Sequence, residues 1–380
     1  MSRLDELIAE LCPDGVEYKK LGDVSNIKRG ERVTKASLIE NGEYPVISGG
    51  VAPMGYLNKF NREANVTTVA QYGTAGFVNW QGKRFWANDV CYTIFGNANV
   101  SNRYLYHVLA NSQEDIYLLK IDAVPAHLPL NRLNGVDIPV PPLPVQQEIV
   151  RILDNFTELE AELEAELEAR KKQYEYYRNE LLTFGDDVEY LSFKDIVEKN
   201  IGGGTPSKAK PQYWNGDIPW ASVKDIVNTG MFLNNTLDHI TTEGLCNSSS
   251  NIVPKGWLII CTRINPGLCA IAGKNIAINQ DLRGVCFRHV VEVKYIWYYF
   301  QTLTIIGKGT TVKGISIEEL DRIKIPIPPI AEQERIVAIL DRFDALVNDI
   351  TQGLPAEIEA RRKQYEYYRD KLLTFKEAAS

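Results

Sequence analysis

One long stretch of this chain is written twice. Residues 170–184 read RKKQYEYYRNELLTF, and residues 361–375 read RRKQYEYYRDKLLTF. A second shared block precedes each, IPVPPLPVQQEIVRILD at 138–154 and IPIPPIAEQERIVAILD at 325–341. The entry segments also match. Val16-Glu17-Tyr18 before Leu21-Gly22-Asp23-Val24 returns as Val188-Glu189-Tyr190 before Phe193-Lys194-Asp195-Ile196. Each copy therefore runs through an entry segment, a region unlike its counterpart, a proline block and a long helix. The copies span about 16–185 and 186–375. A repeat on this scale constrains the fold before any local propensity does, because each copy is one structural unit.

The repeated parts carry a helical seam. Ile149, Phe156, Leu163, Tyr177 and Phe184 lie on one seven-residue register, interrupted by Arg170. Ile152, Leu153, Leu159, Leu167, Tyr174 and Leu181 fill its other half. In the second copy the seam is Ile336, Ile339, Leu340, Phe343, Leu346, Val347 and Ile350, then Ile358, Tyr365, Tyr368, Leu372 and Phe375. This is a coiled-coil pattern, and some 40 residues of it make a helix of about 60 Å. A seam so narrow needs a partner helix, which the other copy supplies. The expectation is an antiparallel coiled coil with pseudo-two-fold symmetry.

The copies differ in the middle. The path from Asp154 to Ala169 is four residues shorter than that from Asp341 to Ala360. The second copy carries Gln352-Gly353-Leu354-Pro355, a helix break and restart. The first carries Leu-Glu-Ala-Glu at 159–162 and again at 163–166, then Leu-Glu-Ala at 167–169. These are strong helix formers, so the segment reads as continuous and stiff. It is either a solubilising acidic face or a spacer whose length can be tuned, each unit adding about 6 Å.

The regions between the repeats read as mixed and strand-rich. Runs at 44–48, 66–71 and 90–95, and at 257–262 and 285–288, are β-branched or aromatic and bounded by Gly, Asn or Pro. Each region closes on an aromatic helix, NRYLYHVLA at 102–110 and VKYIWYYFQT at 293–302. The proline blocks at 138–142 and 325–329 cannot be helix or central strand. They are stiff extended exits, serving as hinges or as polyproline ligands. The fold class is α+β, with divisions at 1–137, 138–185, 186–324 and 325–380: two strand-rich domains joined by two helical regions.

The net charge of −7 argues at first against a nucleic-acid partner. The acidity sits on the helical blocks, where 138–185 holds 5 Lys and Arg against 10 Asp and Glu. Residues 186–324 hold 15 against 14, which leaves room for a local basic face. The six cysteines form no CxxC pair and no zinc spacing, and read as reduced thiols of a cytosolic protein. The N-terminal MSRLDELIAELCPDG is too short and acidic for a signal peptide. No apolar run approaches a membrane span.

The two IPxPP–QE–IV–ILD blocks, the doubled KQYEYYR helix ends, Gly353-Leu354-Pro355-Ala356-Glu357-Ile358 and the central tetrapeptide repeat together resemble the specificity subunit of type I restriction–modification enzymes. The resemblance covers essentially the whole chain. It implies two target recognition domains, 1–137 and 186–324, each reading one half of a split DNA sequence. It implies that the helical regions conserved in that family, here 138–185 and 325–380, set the spacing and dock two methyltransferase subunits, with restriction/translocase subunits beyond them. S-adenosylmethionine, ATP and Mg would then be needed only in those partners, in a prokaryotic cytoplasm. Gly203-Gly204-Thr205-Pro206-Ser207-Lys208, Tyr213-Trp214 and Gly216-Asp217-Ile218-Pro219-Trp220 are similar to a motif at the start of such domains. The first domain has a loose counterpart at 29–32 and 43–50, so a different target half is expected. A structural coiled-coil adaptor, or the specificity subunit of a methylating type IIB enzyme, are the alternatives.

Catalytic parts are missing from the sequence. No Asn/Asp-Pro-Pro-Tyr/Phe motif holds a flipped base, and Pro139, Pro141 and Pro142 lack the flanking residues it needs. Gly307-Lys308-Gly309-Thr310 is not a phosphate loop, because its partner glycine position is Thr302. His107, His127, His239 and His289 are scattered. No catalytic, cofactor or metal residue is expected in this chain.

DNA reading needs cations for phosphates and amide, hydroxyl or guanidinium groups for base edges. Candidates in the first region are Lys28, Arg29, Arg32 and Lys35, then Gln71, Tyr72 and Thr74 in the QYGTAG turn. In the second they are Lys208, Lys210, Ser222, Lys224, Arg263, Asn265, Lys274, Lys308 and Lys313.

Overall fold

The computed structural model describes residues 3–309, 313–349 and 352–378. Ile350 of the seam and Thr310 of the Gly-Lys-Gly stretch lie outside the described residues. The chain forms two compact bodies, one of residues 1–165 with 357–380 and one of residues 166–356.

The first body is built on a four-stranded antiparallel sheet in the order Ser25–Arg29, Cys91–Gly96, Val66–Ala70, Val78–Gln81. Val66–Ala70 is buried along its whole length, as a β-branched central strand should be. A three-stranded sheet of Tyr56–Leu57, Tyr44–Ile47 and Trp86–Ala87 completes the strand-rich part. The helix Asn102–Asn111 is capped by Ser101, and it buries Tyr104, Leu105, Val108 and Leu109.

The second body repeats this plan. Its main sheet runs Val197–Gly202, Leu282–Phe287, Leu258–Cys261, Cys269–Ala272, Phe232–Leu233. The first four strands have the connectivity of the first body's sheet. Phe232–Leu233, parallel to Cys269–Ala272, is an addition. A second sheet holds Asp238–Ile240, Trp214–Ala221, Ile276–Ile278 and Asn251–Val253. The closing helix Val293–Phe300 buries Tyr295 through Phe300 without a break.

Shared residues serve shared joints. Asp137–Pro139 pairs antiparallel with Tyr18–Lys20, and Lys324–Pro326 pairs with Tyr190–Ser192. The entry segment and proline exit thus lie side by side in each body, which explains why both recur. Tyr104 Oη donates to the Pro139 carbonyl at 3.1 Å, and Tyr295 Oη donates to Pro326 at 2.9 Å. Gln146 and Gln333 are fully buried. Their Nε2 atoms donate to the Pro141 and Pro328 carbonyls, both at 2.8 Å. Proline-rich backbone that no ladder can satisfy is satisfied by side chains. Asp154 accepts from Arg103 Nε and pairs with His107 Nε2, both at 2.8 Å. Asp341 accepts from Lys294 Nζ at 2.6 Å and Tyr298 Oη at 2.8 Å.

The central helix Leu143–Leu181 is unbroken for 39 residues, about 58 Å. Pro144 falls in its first turn, where no N–H is missed. Ile330–Asn348 and Leu354–Leu373 are separate helices, with Gly353 at the break. A Cβ on Gly353 would lie 2.5 Å from the Ala345 carbonyl oxygen, so the chain turns too tightly there for a side chain.

In the first body Phe156 stacks on Tyr368 with ring centroids 5.5 Å apart, and meets Tyr365 at 6.4 Å. Arg362 pairs with Glu160 at 2.8 Å and Glu164 at 3.2 Å. Rising numbers on one helix meet falling numbers on the other, so the pair is antiparallel. In the second body Phe343 meets Tyr177 at 5.6 Å and Tyr174 at 6.4 Å. The KQYEYYR end of each copy therefore packs on the ILD helix of the other. Ile149 and Ile336 are buried beneath these contacts, and Leu163 and Leu167 are half-buried.

Two seam leucines are corrected, and one of them, Leu346, is 38% exposed. Leu159 is 46% exposed. A four-residue repeat overshoots a helical turn by about 40°, so successive leucines drift off a single line of contact. Where Leu159 drifts out, Arg362 and its two glutamates hold the helices instead. Tyr177 is stacked on one face only and stays partly open.

Candidate nucleic-acid interface

The residues 71–76 (QYGTAG) and 262–267 (TRINPG) form the same turn, linking Val66–Ala70 to Val78–Gln81 in the first body and Leu258–Cys261 to Cys269–Ala272 in the second. Three hydrogen bonds of the two turns correspond. Gln71 N donates to Val90 O at 2.9 Å, and Thr262 N donates to Asp281 O at 2.8 Å. Gly76 N donates to Ala70 O at 2.8 Å, and Gly267 N donates to Cys261 O at 2.9 Å. The Gln71 carbonyl accepts from Leu128 N at 2.9 Å, and the Thr262 carbonyl accepts from Ile315 N at 2.8 Å.

The third position is left-handed in both, with φ of 73° at Gly73 and 71° at Ile264. Glycine adopts this freely, but a β-branched residue does so at a cost of about 1–3 kcal/mol. Ile264 is 54% exposed, so no apolar burial accounts for it. The turn's shape is kept in the second body against local preference. The side chains that protrude differ: Tyr72 and Thr74 in one, Arg263 and Asn265 in the other.

Around the first turn, Arg29 Nη2 donates to Gln71 Oε1 at 2.7 Å. Gln71 is only 8% exposed. It holds Arg29 rather than facing outward as a reader, which corrects that expectation. Tyr72 stacks on His127 at 5.6 Å, and Thr74 Oγ1 donates to Gly49 O at 2.8 Å. Arg32 and Lys59 border a cavity of about 500 Å³, where Lys59 sits over the Trp86 ring at 4.8 Å. Lys28 lies over Phe95 at 5.6 Å, and Lys35 is exposed on the short helix Lys35–Ser37.

Around the second turn, Arg263 Nη1 lies 3.7 Å from Asp281 Oδ1. Asp281 Oδ2 accepts from Asn279 at 3.1 Å and Gln280 at 3.3 Å, so its carboxylate is fixed. Thr205, of the Gly-Gly-Thr-Pro loop, donates to Gln280 Oε1 at 2.5 Å. The Lys313 carbonyl accepts from Ile264 N at 2.8 Å. Lys308 Nζ binds Glu319 at 2.5 Å, and that hydrogen bond, with one from the Ser316 backbone, holds the Glu319 carboxyl at about 2.

Other candidates stand apart from the turn. Ser222 is a helix cap whose Oγ and N both donate to Asp225 Oδ2, so its polar atoms are spent on the fold. Lys210 Nζ donates to Tyr213 Oη at 2.9 Å. Lys208 is exposed on the Gly-Gly-Thr-Pro loop, Lys224 on the helix Val223–Val227 and Lys274 between strands Cys269–Ala272 and Ile276–Ile278. None of these ions is tied to Arg263 or Asn265.

Sequence reasoning missed His127, Lys59, Asp281 and Gln280. No sequence signal pointed to Asp281, because its place beside the turn comes from the backbone hydrogen bond of Thr262 N to its carbonyl. Among the described residues no group of three or more His, Cys, Asp or Glu is placed to hold a metal ion. No helix among them is long and apolar enough to cross a membrane.

A family model for the type I restriction modification DNA specificity domain matches the chain twice, at 13–169 and 185–360. The chain is 45% identical over 253 residues to the EcoR124I/EcoR124II type I restriction enzyme specificity subunit of Escherichia coli, a match covering 63% of this chain and 61% of that one. That match spans less than two thirds of the relative. Over 384 residues it is 33% identical to a Haemophilus influenzae chain described as a type I restriction enzyme specificity subunit, covering 95% and 96% of the two. The crystal structure of a type I restriction–modification S subunit from M. genitalium superposes with a TM-score of 0.60 at 15% identity, over 94% of this chain and 96% of that one, which shows a shared fold. The two copies, each with its own exposed turn, coincide with the two matched domains, and the chain belongs to the type I restriction–modification DNA specificity family.

Proposed function

We propose that this chain is the DNA-reading, non-catalytic subunit of a type I restriction–modification complex. Each strand-rich region reads one half of a bipartite duplex target, and the long helices set the spacer between the halves. The observation that carries this reading is the pair of equivalent turns with unlike exposed side chains. One frame presenting Tyr72 and Thr74 in one body and Arg263 and Asn265 in the other is suited to two different half-sites.

Two methyltransferase subunits dock on the repeated helices, and restriction/translocase subunits join through them. Two copies of one helical unit favour two copies of one partner. S-adenosylmethionine, ATP and Mg serve those partners, in the cytoplasm of a prokaryote. The test is to reconstitute the chain with its methyltransferase and map methylated adenines across a random-sequence library. A bipartite motif is the expected result; methylation without sequence preference would refute the proposal.

A further inference from the structure

We infer that Arg263 reads a guanine in the half-site taken by the second body, and that Asp281 is the positioning residue that aims it. The inference rests on the DNA-reading function proposed above and names the base that one of its residues recognises.

Arg263 occupies the second position of the exposed turn and is 59% exposed, so its guanidinium is available to a groove. Its freedom is limited on both sides. The backbone beneath it is fixed by the strained left-handed Ile264 and by the bridge between Arg263 and Gly314. The side chain lies beside the carboxylate of Asp281, an ion pair at 3.7 Å, and Asp281 is itself only 15% exposed and held by Asn279 and Gln280. An arginine meant only to neutralise phosphate needs no such restraint, since a mobile point charge serves as well. A guanidinium drawn toward a carboxylate by charge alone, with no hydrogen bond spent on it, keeps its donors for a planar acceptor pair. The N7 and O6 atoms of guanine in the major groove are the acceptor pair that such a fork matches. Asn265, two residues on, places an amide on the same exposed tip.

The first body lacks this device at the same place. Tyr72 replaces Arg263 at the second position of the turn, and Val90 replaces Asp281, whose carbonyl accepts the equivalent backbone hydrogen bond. Tyr72 is instead stacked on His127. The guanine contact is therefore specific to one half-site.

The test is methylation mapping on the reconstituted complex with wild type, Arg263→Lys, Arg263→Ala and Asp281→Asn chains. Arg263→Lys keeps the charge and loses the fork. It should lower discrimination at one G·C pair by about tenfold or more, the loss of one bidentate contact, while the other half-site stays intact. Asp281→Asn should relax the same base pair to a smaller degree. If Arg263→Ala lowers methylation uniformly with the motif unchanged, or if the relaxed position is an A·T pair, the inference is wrong while the proposed function stands. A wild-type complex without any bipartite motif would remove both.

Discussion

His107 Nε2 lies 2.8 Å from Asp154 Oδ1, at a joint where the second body uses Tyr298 and Asp341 instead. Each pair ties the aromatic helix of the strand-rich region, Asn102–Asn111 or Val293–Phe300, to the ILD helix. Burial lowers the His107 imidazole in the first pair and raises the Tyr298 phenol in the second.

Acidification should therefore loosen the first body before the second. Burial is the main cause that holds His107 below the ordinary imidazole value of 6.5. As pH falls through that value the unfolded chain takes up a proton that the folded chain refuses, so stability falls. Burial raises the Asp154 carboxyl, but the His107 hydrogen bond and the Arg103 charge outweigh it and leave it below 3.8. Its contribution is lost only at much lower pH, as pH falls through that depressed value. Burial, then Asp341, pushes the Tyr298 phenol up, so it stays neutral throughout. Hydrogen exchange at pH 7.5 and 5.5 should show protection lost around 102–111 and kept around 293–300. Equal loss in both would refute this assignment.

Removing one buried hydroxyl should weaken the proline joint. Tyr295→Phe keeps the ring but leaves the Pro326 carbonyl without its donor. The cost should be about 1–2 kcal/mol, read as a lower urea midpoint with an unchanged slope.

The strained turn predicts an asymmetric pair of substitutions. Ile264→Gly relieves a left-handed β-branched residue that is largely exposed, and should be neutral or stabilising by up to about 1 kcal/mol. Gly73→Ala places a Cβ 2.5 Å from the Gly49 carbonyl oxygen, and should destabilise by at least about 1 kcal/mol. Thermal unfolding of both variants checks the pair.

Deleting residues 163–166 removes one Leu-Glu-Ala-Glu unit, about 6 Å of helix. Methylation mapping should show the spacer between half-sites shortened, with both half-sites unchanged. Altered half-sites would refute the ruler role of the central helix.

The repeat, the α+β class, most of the seam and the break at Gly353 are legible along the chain, because periodicity and proline chemistry are local properties. The sequence also pointed to QYGTAG and to Arg263 and Asn265, since turns rich in Gly, Asn and polar residues declare themselves. That these two segments are one turn emerges only once the chain is folded. Their side chains share little beyond a final glycine, and what makes them equivalent is backbone hydrogen bonding to strands far away in sequence. The same reason separates Gln71, which turned inward to hold Arg29, from Arg263, which stays exposed beside Asp281. Whether a polar side chain is spent on the fold or left for a ligand depends on which distant partner the sheet brings beside it.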